Sequence, residues 1–184
     1  MTKNGQSKFK IIGINKKIIM KKITLILVLI GMITLQGCTI EENSGYDNDT
    51  FSKVFEVTRS FSPQNDFSSL ITFNPPIFSS DVVLVYILWD VQNDGTPVWR
   101  LMPQTVQLFE GDLQYNYDFT RFDVNLFISS LDFDVAFIDP VWTQNQTFRI
   151  VLVPASFGGK MDYTNYENVM QKLKLSEKDV KSIK

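Results

Sequence analysis

The chemistry open to this chain is limited first by the side chains that it lacks. The sequence has no histidine and a single cysteine, Cys38. Histidine-dependent triads, Cys–His nucleophiles, disulfides and the usual zinc sites are therefore excluded. Only carboxylate, Ser, Thr, Tyr and Lys side chains are left for catalysis, and we predict neither a cofactor nor a metal site.

Cys38 follows the pattern of a secretion signal. Two lysines precede 13 uncharged residues (23–35), a run shorter than the roughly 20 apolar residues that a membrane-spanning helix needs. The ending Leu-Gln-Gly-Cys resembles a bacterial lipobox, in which the cysteine sulfur takes a diacylglycerol and the cysteine becomes the new N-terminus. We predict a signal peptide over 1–37, with the true start at Met20, and palmitate-type lipidation of Cys38. The alternative is a buried core cysteine after an ordinary signal peptide.

An acidic pair, Glu41 and Glu42, comes directly after this cysteine. The pair resembles the surface-export signal of Bacteroidetes lipoproteins, and the alternative is a solvated acidic linker. The polar, aperiodic residues 38–50 are predicted to form a lipidated flexible tether. We therefore expect an outer-membrane, lipid-anchored protein that is exposed at the cell surface, with the periplasmic face as the alternative.

The predicted mature chain is strongly acidic. Residues 38–184 number 147, enough for one domain with its own core, and carry 11 basic against 20 acidic side chains. Phosphate binding needs clustered Lys and Arg, so this balance argues against nucleic acid as a partner. The expected membrane contact is the N-terminal lipid.

Short strand-like segments separated by turn signals follow one another from residue 54 onward. About eight of them occur without helices between them, which predicts a mainly β fold: an antiparallel β-sandwich over residues 51–184. The segments are VFEVTRSF, SSLITF, DVVLVYILWDV, PVWRLM, TVQLFE, LQYNYDF, DVNLFI and TFRIVLVP.

One segment, residues 82–89, is apolar on both faces, although a strand in a two-layer sandwich normally buries one. Residues 162–175 place apolar side chains at helical spacing, so we predict a short C-terminal helical segment (about 162–183) that covers this strand. The capping-box pattern at 176–179 predicts a second short helix within it. The alternative cover is a partner subunit. The contacts that we expect are those of Tyr163, Tyr166 and Leu173.

Several longer strings carry a resemblance. VFEVTRSFS, SDVVLVYILWDV, VWRLMPQTV, LQYNYDFT and WTQNQTFRIVLVPASF, taken in order, are similar to a group of small uncharacterised flavobacterial (Bacteroidetes) lipoproteins. The similarity covers most of residues 53–183. Some members carry a collagen-like stalk after the lipidated cysteine, where this chain has TIEENSGYDNDT. The resemblance implies lineage and lipid anchoring, and it implies no activity or site.

Two tryptophans are the candidate ligand contacts. Trp99 and Trp142 lie close to prolines in turn-like sequence, from where an indole ring can stack on a sugar face. The alternative is packing at the rim of the core, since tryptophan is usually heavily buried.

Two groups of carboxylates are weaker candidates. Asp132, Asp134 and Asp139 fall within eight residues and could bind Ca²⁺ through oxygen ligands, although the spacing lacks the features of an EF-hand. Glu110, Asp118 and Asp123 could pair for glycoside hydrolysis, which needs two carboxyl groups about 5 to 10 Å apart. The alternative for both groups is solvated surface acids.

The sequence favours a lipid-anchored envelope or surface protein that acts as a non-catalytic binding or scaffold module, and we predict that it is not an enzyme. The expected partners are the membrane and either a glycan or another envelope protein. The alternatives are a structural partner in an outer-membrane assembly and a glycosidase that uses carboxylates only.

Overall fold

Residues 52–157 and 161–183 are described by the computed structural model. All of them belong to one compact unit that spans Asp47–Lys184. The predicted signal peptide and tether, with Cys38, Glu41 and Glu42, lie outside the described residues. No helix in the described part of the chain is long and apolar enough to cross a membrane.

Within residues 52–157 and 161–183, nine strands form two sheets, which confirms the prediction of a mainly β sandwich with a short C-terminal helix. Sheet A has five strands in the order β4-β3-β8-β1-β9, and sheet B has four in the order β2-β7-β6-β5. The strands are β1 (Lys53–Arg59), β2 (Ser68–Thr72), β3 (Val82–Val91), β4 (Pro97–Leu101), β5 (Gln104–Gln107), β6 (Asp112–Phe119), β7 (Asp123–Ser130), β8 (Gln146–Val153) and β9 (Val180–Ile183).

The C-terminal segment differs from the prediction in one respect. Helix α1 (Tyr166–Lys172) is followed by a single 3₁₀ turn, Glu177–Asp179, and then by β9, which pairs with β1 in parallel. The capping box is present, since the Ser176 N–H donates to Asp179 Oδ2 at 2.8 Å. The second helix stops after one turn because the next residues pair with the open edge of β1 and half-bury Val180.

The main core lies between the two sheets and follows the alternation of the strands. On β6, Leu113 and Tyr115 are buried, whereas Tyr117 is half-buried and Phe119 is exposed. The Tyr115 hydroxyl donates to the carbonyl oxygen of Trp142 at 2.5 Å, which joins β6 to the connection before β8. The largest fully buried side chains in this core are Tyr115, Phe61, Phe148, Ile87, Leu113 and Leu126.

A second core lies on the outer face of sheet A, under α1. Leu84 and Tyr86 of β3 and Val151 of β8 are buried there, on the face opposite to the main core. The helix contributes Tyr166, Val169 and Met170, followed by Leu173, and Tyr163 packs against the same cluster. The structure therefore confirms that the C-terminal helix covers the apolar second face of β3 through the expected residues.

The strand directions define two ends of the sandwich. β1 begins, β8 ends and β3 begins at one end, where Lys53 pairs with Leu152 and Val82 with Val153. This proximal end, through which the chain enters the domain, also carries the connection 73–81 and the turn 120–122. The distal end carries the turns 92–96 and 108–111 and the connection 131–145.

Met170→Ala should lower the free energy of unfolding by about 2 to 4 kcal/mol, because it empties a buried site between α1 and sheet A. The neighbouring Gln171→Ala, at an exposed position of the same helix, should change it by no more than about 0.5 kcal/mol. Urea denaturation followed by circular dichroism measures both. Equal effects of the two substitutions would contradict the docking of α1.

Candidate functional site

The prediction that Trp99 contacts a ligand is corrected, because its side chain is buried. Its side chain is only 9% exposed and belongs to the core under α1. The ring centroids of Trp99 and Tyr166 are 5.6 Å apart, and the guanidinium of Arg149 lies 4.4 Å from the Trp99 ring. Pro97, two residues before Trp99, suggests an exposed turn, but Trp99 is on β4 and faces the helix.

Arg149 is the charged centre of this second core. It is 6% exposed, and it donates hydrogen bonds from Nε to Glu56 and from both terminal nitrogens to Glu177, at 2.6 to 3.0 Å. A third acceptor is the Tyr166 hydroxyl, 2.6 Å from Nη1. Burial opposes the charge, but the hydrogen bonds to Glu177 and Glu56 hold the pKa of Arg149 above its ordinary value. Burial also raises the pKa of Tyr166 to about 12.

These contacts join four parts of the chain: β1, β8, α1 and the turn before β9. We name Arg149, Glu56, Glu177 and Tyr166 the Arg149 clamp. Because both acidic partners bond within the chain and α1 packs over the buried Arg149, the clamp holds the C-terminal segment in place rather than forming an open binding site.

Glu177→Ala should loosen β9 and lower the free energy of unfolding. Glu177 itself is exposed, but its removal leaves the buried Arg149 guanidinium without two acceptor oxygens, so the loss should be about 1 to 3 kcal/mol. The amides of residues 180–183 should exchange with deuterium faster, since Glu177 fixes the turn that precedes them. The adjacent Lys178→Ala is the control. Unchanged exchange in Glu177→Ala would contradict the clamp.

Trp142 is half-buried and packs against the main core, so only part of its ring faces solvent. It closes a 3₁₀ turn, Pro140–Trp142, at the distal end. The structure therefore places the two predicted ligand contacts apart, one under α1 and one at the distal end, and does not bring them together in one site.

The three aspartates predicted as a calcium candidate act separately as turn and loop acceptors. Asp134 Oδ1 accepts from the Ala136 N–H at 2.9 Å, and Asp139 Oδ1 accepts from the Val141 N–H at 3.0 Å. Asp132 Oδ2 accepts from the Asp112 N–H at 2.8 Å. Among the described residues there is no group of three or more metal-ligating side chains.

The carboxylates considered for glycoside hydrolysis are split between the two ends of the sandwich. Glu110 lies in the turn at the distal end, and Asp118 lies near the proximal end of β6. The six residue steps of β6 from Asp112 to Asp118 alone span about 20 Å, too far for joint action of Glu110 and Asp118 on one glycosidic bond. Asp123 pairs instead with the Thr120 hydroxyl, at 2.7 Å.

Two apolar side chains project fully into solvent at the distal end. Phe109 and Leu131 are 104% and 100% exposed, respectively. Phe109 lies in a tight turn closed by hydrogen bonds between Leu108 and Gly111, at 2.9 and 3.3 Å. Leu131 precedes Asp132, which bonds to the Asp112 amide and so ties the second loop to the first. We name the turn 108–111 and the loop 131–134 the distal tip.

The distal tip is acidic as well as apolar. Glu110, Asp132 and Asp134 of the tip are exposed, and so is the adjoining Asp112. The single basic residue between positions 101 and 148 is Arg121, which lies at the proximal end. The tip thus combines projecting apolar groups with exposed acids, an arrangement that suits an apolar partner surface edged with Lys or Arg.

Comparisons with known proteins give no match: no family model, no curated protein and no solved structure matches this chain.

Sequence reasoning missed the distal tip because it assigned Phe109 to the strand-like segment TVQLFE, whereas β5 ends at Gln107. The sequence did contain a signal for Phe109. This residue directly precedes Glu-Gly, a turn dipeptide, and an apolar side chain in a turn has no sheet face against which to pack. Leu131 likewise stands between the serines that end β7 and the first aspartate of the acidic run.

Gly111→Ala should destabilise the distal tip and the fold by about 1 to 3 kcal/mol. Gly111 has φ +134, and an added Cβ would overlap the side chain of Asp132. Gly95→Ala is the matched control, because Gly95 has φ +87 but open space around it. Gly95→Ala should lower the free energy of unfolding only by the strain of a positive φ at alanine. Denaturant unfolding compares them, and an equal loss would argue against close contact of the two loops.

Proposed function

We propose that the chain is a lipid-anchored envelope protein whose β-sandwich is a non-catalytic binding module for another envelope protein. The observation that carries this proposal is the pair of fully exposed apolar side chains, Phe109 and Leu131, on loops that are tied together by hydrogen bonds. Fixed loops lose little conformational entropy on binding, which favours a specific contact. The alternative role, a structural partner in an outer-membrane assembly, would use the same surface.

The distal tip favours a protein partner over a glycan. Glycan recognition by aromatic stacking uses an accessible flat ring, and Trp99 is buried while Trp142 is half-buried. Projecting Phe and Leu side chains instead suit a pocket on a protein. The exposed acids around them suit a partner rimmed with Lys or Arg, and should speed association at low salt.

Attachment to the membrane is tested at Cys38. Cys38→Ser should abolish metabolic labelling with palmitate and should release the protein from the membrane pellet, because the sulfur is the proposed acylation site. Ser44→Ala, in the same segment, is the control and should behave like the wild type. Continued labelling and sedimentation of Cys38→Ser would rule out the lipid anchor.

Binding at the distal tip is tested by site-specific photocrosslinking in intact cells. A photoreactive amino acid at position 109 should give a discrete crosslinked product, whereas one at Gln114, exposed on β6, should not. The crosslinked product should disappear when Leu131→Ser is added, since this removes an apolar contact of the distal tip. It should weaken when Asp132→Asn is added, since this removes one of the acidic charges of the tip. Equal products from positions 109 and 114 would contradict a specific site.

A further inference from the structure

The outer face of sheet B is open to solvent, whereas that of sheet A is covered by α1. Alternation along the strands turns Ile71, Tyr115 and Leu126 into the main core, so the residues next to them face outwards. Leu70 and Asp118 are exposed on this outer face. The pairing of β2, β7 and β6 places six outward side chains in two rows, with Ser68, Phe127 and Asn116 in one row and Leu70, Asn125 and Asp118 in the next. We name these six residues the sheet B platform.

An aromatic side chain occupies the centre of one row. Phe127 is half-buried but, unlike Trp142, it packs in neither of the two cores. Asn116 lies directly opposite it on β6, with Cβ atoms about 5 Å apart. Asn125 is two residues away on the same strand, at about 7 Å. The platform therefore presents an apolar ring and two amides side by side, which is what a ligand with both apolar and hydrogen-bonding groups requires.

The amide groups beside Phe127 are available to a ligand. Among the described residues, the side chain of Asn125 has no hydrogen-bond partner. Asn116 uses only Oδ1, which accepts from the Tyr117 N–H at 3.0 Å. Both asparagines lie inside strands, where this residue type is disfavoured. Residues that break a local propensity rule at an open position are expected at functional sites.

The charge of this face limits the class of ligand. Within the described residues, no strand of sheet B contains Lys, Arg or Glu, whereas the strands of sheet A contain all three. Asp118 in the platform and Asp123 in the adjoining row are acidic. Phosphate, sulfate and carboxylate groups are bound by Arg or Lys, so an anionic ligand does not fit. A protein partner fits poorly as well, because the centres of protein interfaces are rich in aromatic residues, Met and Arg.

We propose that the sheet B platform binds a neutral glycan. The apolar face of a sugar ring packs on Phe127, with Leu70 beside it. The hydroxyl groups exchange hydrogen bonds with Asn116 and Asn125 and donate to Asp118. Amides suit this role because they both donate and accept, as each hydroxyl does. The platform is a different surface from the distal tip, so this inference goes beyond the proposed protein contact and does not depend on it.

A glycan array tests the class of ligand. The chain 38–184 with Cys38→Ser, carrying a fluorescent label, is applied to neutral oligosaccharides and to counterparts of the same backbone that carry sulfate or a uronic acid. We expect binding to at least one neutral glycan and at least tenfold weaker binding to its charged counterpart, because Asp118 repels a negative charge. Binding to no neutral glycan would overturn the proposal, and so would equal binding to the charged counterpart.

Matched variants locate the contact and separate it from a role in folding. Asn125→Thr should weaken binding to the glycan found on the array at least tenfold. The same variant should keep or raise the thermal midpoint, because strands favour Thr over Asn. Phe127→Thr should weaken binding as well. Asn93→Thr, at an exposed position in the turn 92–96, is the control and should bind like the parent. Equal binding by Asn125→Thr and Asn93→Thr would overturn the assignment to this face.

A variant of the distal tip distinguishes the two surfaces. Phe109→Ser with Leu131→Ser should leave glycan binding unchanged, because neither residue belongs to the platform. Loss of glycan binding in this double variant would place the glycan at the distal tip and overturn the platform. If no glycan binds while position 109 still gives its crosslinked product, the protein contact stands and only the platform proposal is wrong.

Discussion

The constraint on which the rest of the structure depends is that the central strands of sheet A are apolar on both faces. Val83, Val85 and Ile87 of β3 face the main core, while Leu84 and Tyr86 face the other way. Left uncovered, the second face would expose several large side chains, each worth about 1.5 to 3 kcal/mol of burial. A third layer is therefore required, and α1 provides it.

This third layer explains the remaining features of the C-terminal segment. The helix has only seven residues, too few to be stable alone, so its stability comes from packing. Arg149 lies under it with the guanidinium stacked on Trp99 and bound to Glu56 and Glu177. These bonds fix the position of the 3₁₀ turn before β9. The strand can then pair with β1 at the edge of sheet A.

Local signals in the sequence predicted much of this fold, and the failures were non-local. The doubly apolar segment 82–89 predicted a covering layer, and the helical spacing of Tyr166, Val169 and Met170 identified it. By contrast, β9 forms only because the edge of β1 is open, which no window of the sequence shows. Trp99 was misplaced for the same reason, since its proline suggests a turn while its burial depends on α1. The distal tip depends on contact between Asp132 and the turn at Gly111, 21 residues apart in the chain.

With the outer face of sheet A covered, large exposed apolar side chains remain at both ends of the sandwich, with Phe109 and Leu131 at one end and Phe78 and Phe122 at the other. The most direct test of this third layer compares the chain 38–184 with the chain 38–160. Without α1 and β9 the shorter chain should unfold without a cooperative transition, bind a hydrophobic dye and associate. A shorter chain that stays monomeric, with the thermal midpoint of the chain 38–184, would contradict the requirement for this layer.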